Sequence, residues 1–538
     1  MKLRLNPYYN WIILLSFVGL FVLLYIFILD DHLYFMGDDF AQYIQHARNI
    51  YHGDPYSNLP YPFNPEAQIG PPAYPPLYPF LISPFTSGED PVIWMKVLTI
   101  IIFTLSLVIL YKFFVSLKEN SLILEAIFVF ASLPWIFLDA GYLGSDIPYA
   151  FFSFLALWSL ITLPNDRPAG IHSIMTGLLM AMSTLTRDIG ISLWASSLLY
   201  LSQKIWKNLS FRSVYLIQMI LLSLAFLLPL FAWKFYENHL GLGPANAVYF
   251  KTALNLDHFT FFGFLTRLGS NLFYHIKNGY DLIFPLSFII RPIPSLDWVR
   301  FPITFLILGI LCWQILKGFR SSWLPIVLYL GCYLGVLLIM NSHISRNGPR
   351  MLLPLAPFLV LFILKGVKEI SIKRLGIFPP ITYKIFFIFW IGFNMVGSFN
   401  LYSFFRNAEN LSFSPQGLDY QNMATYIRQE IPVAGRIAYI KPRYLSLYSG
   451  HPTAILPFMG PPSLVGPPSN ILDYLSHWRI THVLLDDHFK REEYVTRQTI
   501  NQFPRSFSTV YTCPHLTLLR FIDPVHSLKN IHHPSGRN

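Results

Sequence analysis

Long apolar runs separated by short polar connections dominate the first 400 residues of the chain. A membrane-spanning helix needs roughly 20 mostly apolar residues, because each residue adds only about 1.5 Å toward crossing the hydrocarbon core. About eleven segments meet this requirement, so the pattern predicts a polytopic α-helical membrane protein. The segments run over 11–29, 93–111, 121–138, 147–163, 172–186, 189–203, 213–233, 301–316, 323–340, 351–364 and 381–400.

The positions of Lys and Arg predict which side of the membrane each connection faces. If the N-terminus is cytoplasmic, every second connection carries basic residues, as the positive-inside rule requires, whereas the short connection 139–146 carries none. The loops 30–91 and 237–300 and the region beyond residue 401 are then external. The run 11–29 is longer than a signal-peptide core and leads into Asp30 and Asp31 without a small-residue cleavage site, which favours a retained signal anchor.

Composition supports the membrane assignment and excludes a nucleic-acid function. Hydrophobic residues make up 54% of the chain and charged residues 12%, against about 25% charged residues in soluble domains. The net charge of +11 is spread over short loops and forms no basic groove, so no nucleic-acid partner is expected. The three cysteines, two of them in apolar segments, offer no disulfide framework.

The periodicity changes in the last part of the chain. Alternating helical and strand patterns there predict a small external α/β domain over 401–523, after a transmembrane part over 1–400 and before a loose tail over 524–538. The stretch 258–276 in the second external loop has an amphipathic helical pattern that suits a membrane surface. Helices are predicted over 418–431, 469–478 and 491–502, and strands over 436–440, 481–486, 507–512 and 515–522.

Three carboxylates are predicted at the external surface. Asp38 and Asp39 precede a helical pattern in the first external loop, and Asp146 lies at the external mouth of the fourth span. Aspartate at these positions caps a helix by accepting hydrogen bonds from free amides. It also supplies a general base, or with a second carboxylate a site for a divalent metal, although no His and carboxylate spacing indicates one.

The same loop continues as GPPAYPPLYPFLISPF over 70–85. Repeated proline makes this piece extended and rigid. Its Tyr74 and Tyr78 are candidates for lining a binding groove, and anchoring at the membrane interface is the alternative role.

Basic residues on the same face are candidate phosphate ligands. Arg187 follows the fifth span, and Arg346 and Arg350 precede the tenth. Arginine binds phosphate oxygens in a bidentate manner, whereas ordinary interfacial snorkelling explains any single one of them. His343 in the same segment is a candidate acid or base, or else an interfacial histidine.

Four motifs lie in a fixed order on the predicted external side. GDDFAQYIQHARNIYHG and YPPLYPFLISPF lie in the first external loop, LTRDIG follows the fifth span, and RNGPRMLLPLAPF precedes the tenth. By these motifs the chain resembles the type C membrane glycosyltransferases, the superfamily of the protein O-mannosyltransferases and the aminoarabinose transferases of lipid A. KPRYLSLYSGHPTA over 441–454 also resembles the external domain of bacterial members. The resemblance implies a sugar donor linked by phosphate to a polyprenol, an inverting reaction, and an envelope glycan, lipid or protein as acceptor.

By this resemblance either Asp39 or Asp38 is the base, because the family's Asp-Glu pair is Asp-Asp here. Asp146 matches the family's second acidic position, and the three arginines are candidate phosphate ligands. A bacterial inner-membrane enzyme is expected, with no certain cofactor. The alternatives are an O-antigen ligase or polymerase acting on a pyrophosphate-linked oligosaccharide, a transporter or flippase, and a non-catalytic assembly protein.

Overall fold

The chain is mostly helical in a computed structural model that describes residues 7–29, 39–59, 74–87, 91–118, 122–167, 170–240, 254, 260–284, 297–340, 349–373, 380–406, 417–456, 471–490 and 493–522. Each predicted span coincides with a helix, or at 121–138 with a bent pair of helices. Among the described residues, five helices are long and apolar enough to cross a membrane, or six with the bent pair counted as one span. The total of about eleven spans stays a prediction.

The helices of the membrane part are numbered in chain order. They are α1 (Pro7–Ile28), α2 (Asp39–His52), α3 (Leu77–Ile82), α4 (Pro91–Ser116), α5 (Ile123–Ser132), α6 (Pro134–Ala140), α7 (Asp146–Ile161), α8 (Gly170–Thr186), α9 (Ile191–Lys207), α10 (Arg212–His239), α11 (Phe261–Ile283), α12 (Asp297–Gly318), α13 (Leu324–Ile339), α14 (Ala356–Lys373) and α15 (Pro380–Arg406).

The pair α5 and α6 bends by 66° at Leu133. Proline disfavours helical backbone in the residue before it, and Leu133 is extended, with φ −60° and ψ 130°. Pro134 then begins α6, where its missing N–H is not needed.

Small residues let the helices of the membrane part approach closely. Gly177 of α8 faces α10 so tightly that a Cβ atom at this position would lie 2.2 Å from the carbonyl oxygen of Leu222. The hydroxyls of Ser153 and Ser183 join α7 to α8 at 2.9 Å. Close backbone approach and interhelical hydrogen bonds are the typical means of packing helices in lipid, where apolar burial contributes little.

Two short helices, α2 and α3, lie between α1 and α4. The extended conformation predicted over 70–85 is wrong at Leu77–Ile82, because Pro79 lies in the first turn of α3, where a missing N–H is tolerated. In α2 the side chains of Phe40, Ala41, Ile44 and Ala47 are buried, as its amphipathic sequence predicts. They form one hydrophobic cluster with Tyr78 of α3. The helix α11 covers most of the amphipathic stretch predicted over 258–276, and its position on the membrane surface stays a prediction.

A mixed sheet with flanking helices forms the C-terminal α/β region, here residues 417–522. The strand order is β2-β1-β3-β5-β4, with β1 parallel to β2 and β3, and β5 antiparallel to β3 and β4. The sequence patterns did not predict α17 and β2. The elements are α16 (Leu418–Glu430), β1 (Ile437–Tyr439), α17 (Pro442–Ser449), β2 (Thr453–Ile455), α18 (Ile471–His477), β3 (His482–Asp486), α19 (Tyr494–Gln502), β4 (Phe507–Cys513) and β5 (Leu516–Phe521).

The C-terminal α/β region contacts α2 through α17. The amide of Gln45 in α2 donates a hydrogen bond to the hydroxyl of Ser446 in α17 at 2.9 Å, and both side chains are buried. A buried polar pair of this kind helps to fix the relative position of two elements, because separating them would cost this hydrogen bond.

Candidate active site

Asp39 begins α2 and lies at the centre of the candidate site. Its Oδ1 accepts a hydrogen bond from the Tyr74 hydroxyl at 2.6 Å. Arg350 Nη2 lies 3.4 Å from Oδ2, and Arg443 Nη1 lies 3.6 Å from Oδ1. The side chain of Asp39 is 34% exposed. Donors from three separate parts of the chain thus hold the carboxylate while part of it stays open to an incoming group.

The surroundings of Asp39 favour its ionised form. Burial by itself raises the pKa of its carboxyl group. The charges of Arg350 and Arg443, the hydrogen bond from Tyr74 and the charge of Arg187 together lower this pKa by more than burial raises it. The pKa of Asp39 therefore lies below its ordinary value. At neutral pH the carboxylate is an acceptor only, as a base for a hydroxyl proton must be.

Three tyrosines pack beside this carboxylate. The rings of Tyr43 and Tyr74 lie 4.6 Å apart, and the rings of Tyr43 and Tyr78 lie 5.0 Å apart. Burial and the charge of Asp39 raise the pKa of Tyr74 well above its ordinary value, so its hydroxyl stays protonated and donates to Asp39. Tyr78 is fully buried in the cluster, whereas Tyr74 is half-buried and faces the carboxylate.

Asp146 and Arg187 form a second buried pair. Asp146 is the first residue of α7, and Arg187 follows α8 in extended conformation. Arg187 Nη1 donates to Asp146 Oδ1, and the two side chains are 20% and 7% exposed, respectively. Arg187 Nη2 also lies 3.6 Å from the sulfur of Met351. One arginine predicted to bind phosphate is thus already engaged by the second predicted carboxylate.

Two contacts connect this pair with Asp39. Tyr43, one turn beyond Asp39 in α2, lies with its hydroxyl 2.9 Å from that of Ser145, which precedes Asp146. The short helix Pro349–Leu355 supplies both Arg350, beside Asp39, and Met351, beside Arg187. The structure therefore brings together Asp39, Asp146, Arg187, Arg350 and Tyr74, with Tyr78 packed behind them.

The remaining predicted residues lie outside the described part of the chain. These are Asp38, His343 and Arg346. Which member of the Asp38 and Asp39 pair is the base therefore stays a prediction, since the structure describes the contacts of Asp39 alone.

Sequence reasoning missed Arg443. It lies in α17, its side chain is 1% exposed, and its Nη1 donates to the Tyr74 hydroxyl at 3.1 Å. The guanidinium carbon lies 5.6 Å from the centre of the Tyr74 ring. The motif KPRYLSLYSGHPTA contains this arginine, but nothing in its local pattern indicates a partner 369 residues away.

Sequence reasoning also missed Asp139, near the end of α6. The residue is 7% exposed and lies within electrostatic range of Arg350 and Arg187. Among the described residues, its Oδ2 has no hydrogen-bond partner. An acidic residue inside the apolar run WIFLDA was the available signal, because such residues in membrane segments mark functional sites.

Both described candidate carboxylates are paired with arginine. Within the described ranges, no group of three or more His, Cys, Asp or Glu side chains is placed to hold a metal ion. The positive charge beside Asp39 and Asp146 in this part of the chain comes from guanidinium groups, which bind oxyanions bidentately.

An apolar cavity of about 390 Å³ opens near the other end of α2, by the ends of α8 and α10. Tyr56 connects the cavity to the candidate site, because its hydroxyl donates to the backbone carbonyl of Tyr74 at 2.8 Å. The ring of Tyr56 stacks on His46 at 3.9 Å and packs edge-on against Trp233. The cavity is lined mainly by aromatic and aliphatic side chains, including Tyr56, Leu77, Phe80, Leu185, Trp233 and Tyr236.

No family model matches the sequence, and no curated protein is similar to it in sequence. Solved membrane-protein structures are similar to it. ArnT from Cupriavidus metallidurans bound to undecaprenyl phosphate has a TM-score of 0.55 and 13% identity, over 96% of this chain and 99% of that one. Archaeal oligosaccharyltransferase AglB from Archaeoglobus fulgidus, in complex with an inhibitory peptide and a dolichol-phosphate, has a TM-score of 0.51 and 12% identity. That match covers 97% of this chain and 75% of the other.

At such low identity these similarities show the fold. They confirm the resemblance to type C membrane glycosyltransferases at that level, and the chain is an integral membrane protein with this architecture. Function is a separate question, since one fold hosts different activities and the site must carry the argument.

Proposed function

We propose that the protein is an inverting glycosyltransferase that moves a hexosyl or pentosyl group from a polyprenyl-phosphate donor to an envelope glycan, lipid or protein. The reaction would take place at the outer face of a bacterial plasma membrane, with the N-terminus in the cytoplasm. The observation that carries the proposal is the Asp39 carboxylate, which is ionised, partly open and surrounded by arginines. The fold shared with ArnT and AglB supports it.

In the proposed reaction, Asp39 accepts the proton of an acceptor hydroxyl. The oxygen of that hydroxyl forms a bond to the anomeric carbon, and the bond from this carbon to the phosphate oxygen breaks. Polyprenyl phosphate leaves with the electron pair, and the anomeric configuration inverts. The two events need a base for the acceptor proton and positive charge that stabilises the departing phosphate.

Arg350 is the described arginine best placed for the leaving phosphate. Its Nη2 lies 3.4 Å from Asp39 Oδ2, at the edge of hydrogen-bond range, and 22% of its side chain is exposed. Arg187 is paired with Asp146, so it acts on the site mainly through its long-range electrostatic potential. Arg346, outside the described residues, stays a further candidate ligand from the sequence.

The apolar cavity beside Tyr56 offers a place for the isoprenoid tail of the donor. It lies near the ends of α8 and α10, and Tyr56 leads through Tyr74 to Asp39 by two hydrogen bonds. An apolar wall beside a few polar groups is the typical composition of a lipid or small-molecule site.

The test replaces Asp39 by Asn in the full-length protein. Wild type and variant are each purified, and each is expressed in a strain of the source bacterium that lacks the gene. Glycolipids and envelope glycans are compared by mass spectrometry. Release of undecaprenyl phosphate from undecaprenyl-phosphate hexoses and pentoses is measured with purified protein and, as acceptor, envelope extract of the deletion strain. Wild type should restore a sugar that the deletion lacks, and Asp39→Asn should lower turnover by about 10²–10⁴-fold. The control Asp473→Asn changes an exposed carboxylate of α18 and should leave turnover unchanged.

Asp38→Asn combined with Asp39→Asn covers the ambiguity within the pair. If this double variant restored the missing sugar, the proposed base would be wrong. Altered uptake of a substrate without any change in glycans would instead favour the transporter or flippase alternative. Consumption of a pyrophosphate-linked oligosaccharide alone would favour a ligase or polymerase.

A further inference from the structure

Arg443 is a buried cation that the C-terminal α/β region places in the candidate site of the membrane part. Its side chain is 1% exposed, and burying a charge without compensation is costly. Its Nη1 donates to the Tyr74 hydroxyl at 3.1 Å and lies 3.6 Å from Asp39 Oδ1. Tyr74 in turn donates to the same oxygen of Asp39. These three groups form a closed triangle around one carboxylate oxygen.

The helix that carries Arg443 is short and firmly held. Pro442 begins α17, and Gly450 ends it in the left-handed conformation with φ +74°, which suits glycine. The Ser446 hydroxyl donates to the Arg443 carbonyl at 3.0 Å and accepts from Gln45 of α2 at 2.9 Å. The helix that starts with Asp39 and the helix that supplies Arg443 are therefore joined by a second, uncharged contact.

We infer that Arg443 is a positioning residue through which the C-terminal α/β region controls the catalytic carboxylate, orienting Tyr74 and holding Asp39 for proton transfer. The inference rests on the proposed function and assigns the C-terminal α/β region a part in the reaction itself. Arg443 contacts Asp39 on the oxygen that Tyr74 occupies, which leaves Oδ2 for the acceptor hydroxyl beside Arg350. A transferase without Arg443 would keep Asp39 as its base, but the carboxylate would be less well aligned and less fully ionised.

Several charged and titratable groups face Asp39, so removal of one has a limited effect. An opposite charge this close lowers a carboxyl pKa by about 1–3 units, and screening by solvent at a partly exposed group favours the lower end. The groups are Arg350 of the Pro349–Leu355 helix, Arg443 of α17, Tyr74 before α3, Arg187 after α8, Tyr43 in α2 and Tyr142 after α6.

The experiment measures the ionisation of Asp39 directly in full-length protein in lipid nanodiscs. A water-soluble carbodiimide with glycine methyl ester modifies protonated carboxyl groups, and peptide mass spectrometry follows modification of Asp39 against pH. Arg443→Met should raise the midpoint by about one unit. Arg443→Lys should return it to the wild-type value, because the charge is kept. Arg505→Met, at an exposed arginine of the same region, is the matched control and should leave the midpoint unchanged.

Turnover of undecaprenyl-phosphate sugars supplies the second readout. Arg443→Met should move the acidic limb of the pH profile upward by the same unit and lower kcat more than it changes KM for the donor. Arg443→Lys should restore the limb but not all of kcat, because an ammonium lacks the planar fork of a guanidinium.

An Arg443→Met protein that assembles normally yet keeps the wild-type labelling midpoint would overturn the inference. If that variant does not assemble, Arg443→Gln, which keeps hydrogen-bond donors without the charge, carries the same prediction. Failure of wild type to consume any polyprenyl-phosphate sugar would count against the proposed function, whereas the labelling midpoint reports on Arg443 alone. The two failures are therefore distinguishable.

Discussion

The Asp146 and Arg187 pair allows a stability prediction that requires no substrate. Arg187→Met keeps most of the side-chain length but removes the charge, which leaves the Asp146 side chain, 7% exposed, without its cation. Removing one partner of a buried ion pair costs about 3–5 kcal/mol. Arg187 is itself 20% exposed, and the N-terminus of α7 partly compensates Asp146. We therefore expect a loss near the lower limit, about 2–3 kcal/mol.

The assay is a double-mutant cycle of thermal unfolding, followed by intrinsic fluorescence in one detergent. Asp146→Asn in the Arg187→Met background removes the stranded charge, so the double variant should be more stable than Arg187→Met alone. Arg212→Met, at an exposed arginine, serves as the control and should change stability by less than about 0.5 kcal/mol. The reasoning is refuted if Arg187→Met is as stable as wild type, or if the second substitution brings no recovery.

Three further predictions follow from contacts near the site and in the bundle. Tyr74→Phe removes the hydrogen bond to Asp39, worth about 1.5–3 kcal/mol at a charged acceptor, so transfer should fall about 10–100-fold and the pKa of Asp39 should rise; unchanged kinetics would exclude the contact from catalysis. Gly177→Val should lower the free energy of unfolding by about 1–3 kcal/mol or more, because the Cβ of the new valine would clash with the Leu222 carbonyl oxygen. Thermal unfolding measures this loss. Burial lowers the pKa of His46 to about 3, so the unfolded chain binds more protons below pH 6.5 and stability falls as the pH drops. The loss should reach about 2 kcal/mol at pH 5, and a His46→Gln protein with the same acid sensitivity would contradict this assignment.

Local pattern was sufficient for most of the elements. Each span predicted from hydropathy coincides with a helix of the membrane part or, at 121–138, with a bent pair of helices. A bilayer leaves the backbone few alternatives to a helix. The strand predicted over 481–486 is β3, and the helix predicted over 418–431 is α16. The short elements α17 and β2 escaped prediction, since eight and three residues carry too little periodicity.

The bend at Leu133 has a sequence signal that hydropathy alone does not take into account. Pro134 was visible within the span predicted over 121–138, and proline disfavours helical backbone in the residue before it. The sequence indicates a break at this point, but the 66° direction of α6 depends on what it packs against. That direction places Asp139 within range of the two arginines.

The sequence by itself determined that this chain is a helical membrane protein, and it placed Asp39, Asp146, Arg187, Arg350 and Tyr74 as candidates near one surface. Their residue types and their distance from the nearest apolar run are local properties. Only the tertiary structure decided the partners: Arg187 binds Asp146, and Arg443 joins Arg350 and Tyr74 at Asp39. Ion pairs act over a few ångströms in space, whereas Arg443 and Tyr74 are 369 residues apart in the chain. The packing of the C-terminal α/β region against α2 brings them together, and no local pattern encodes it.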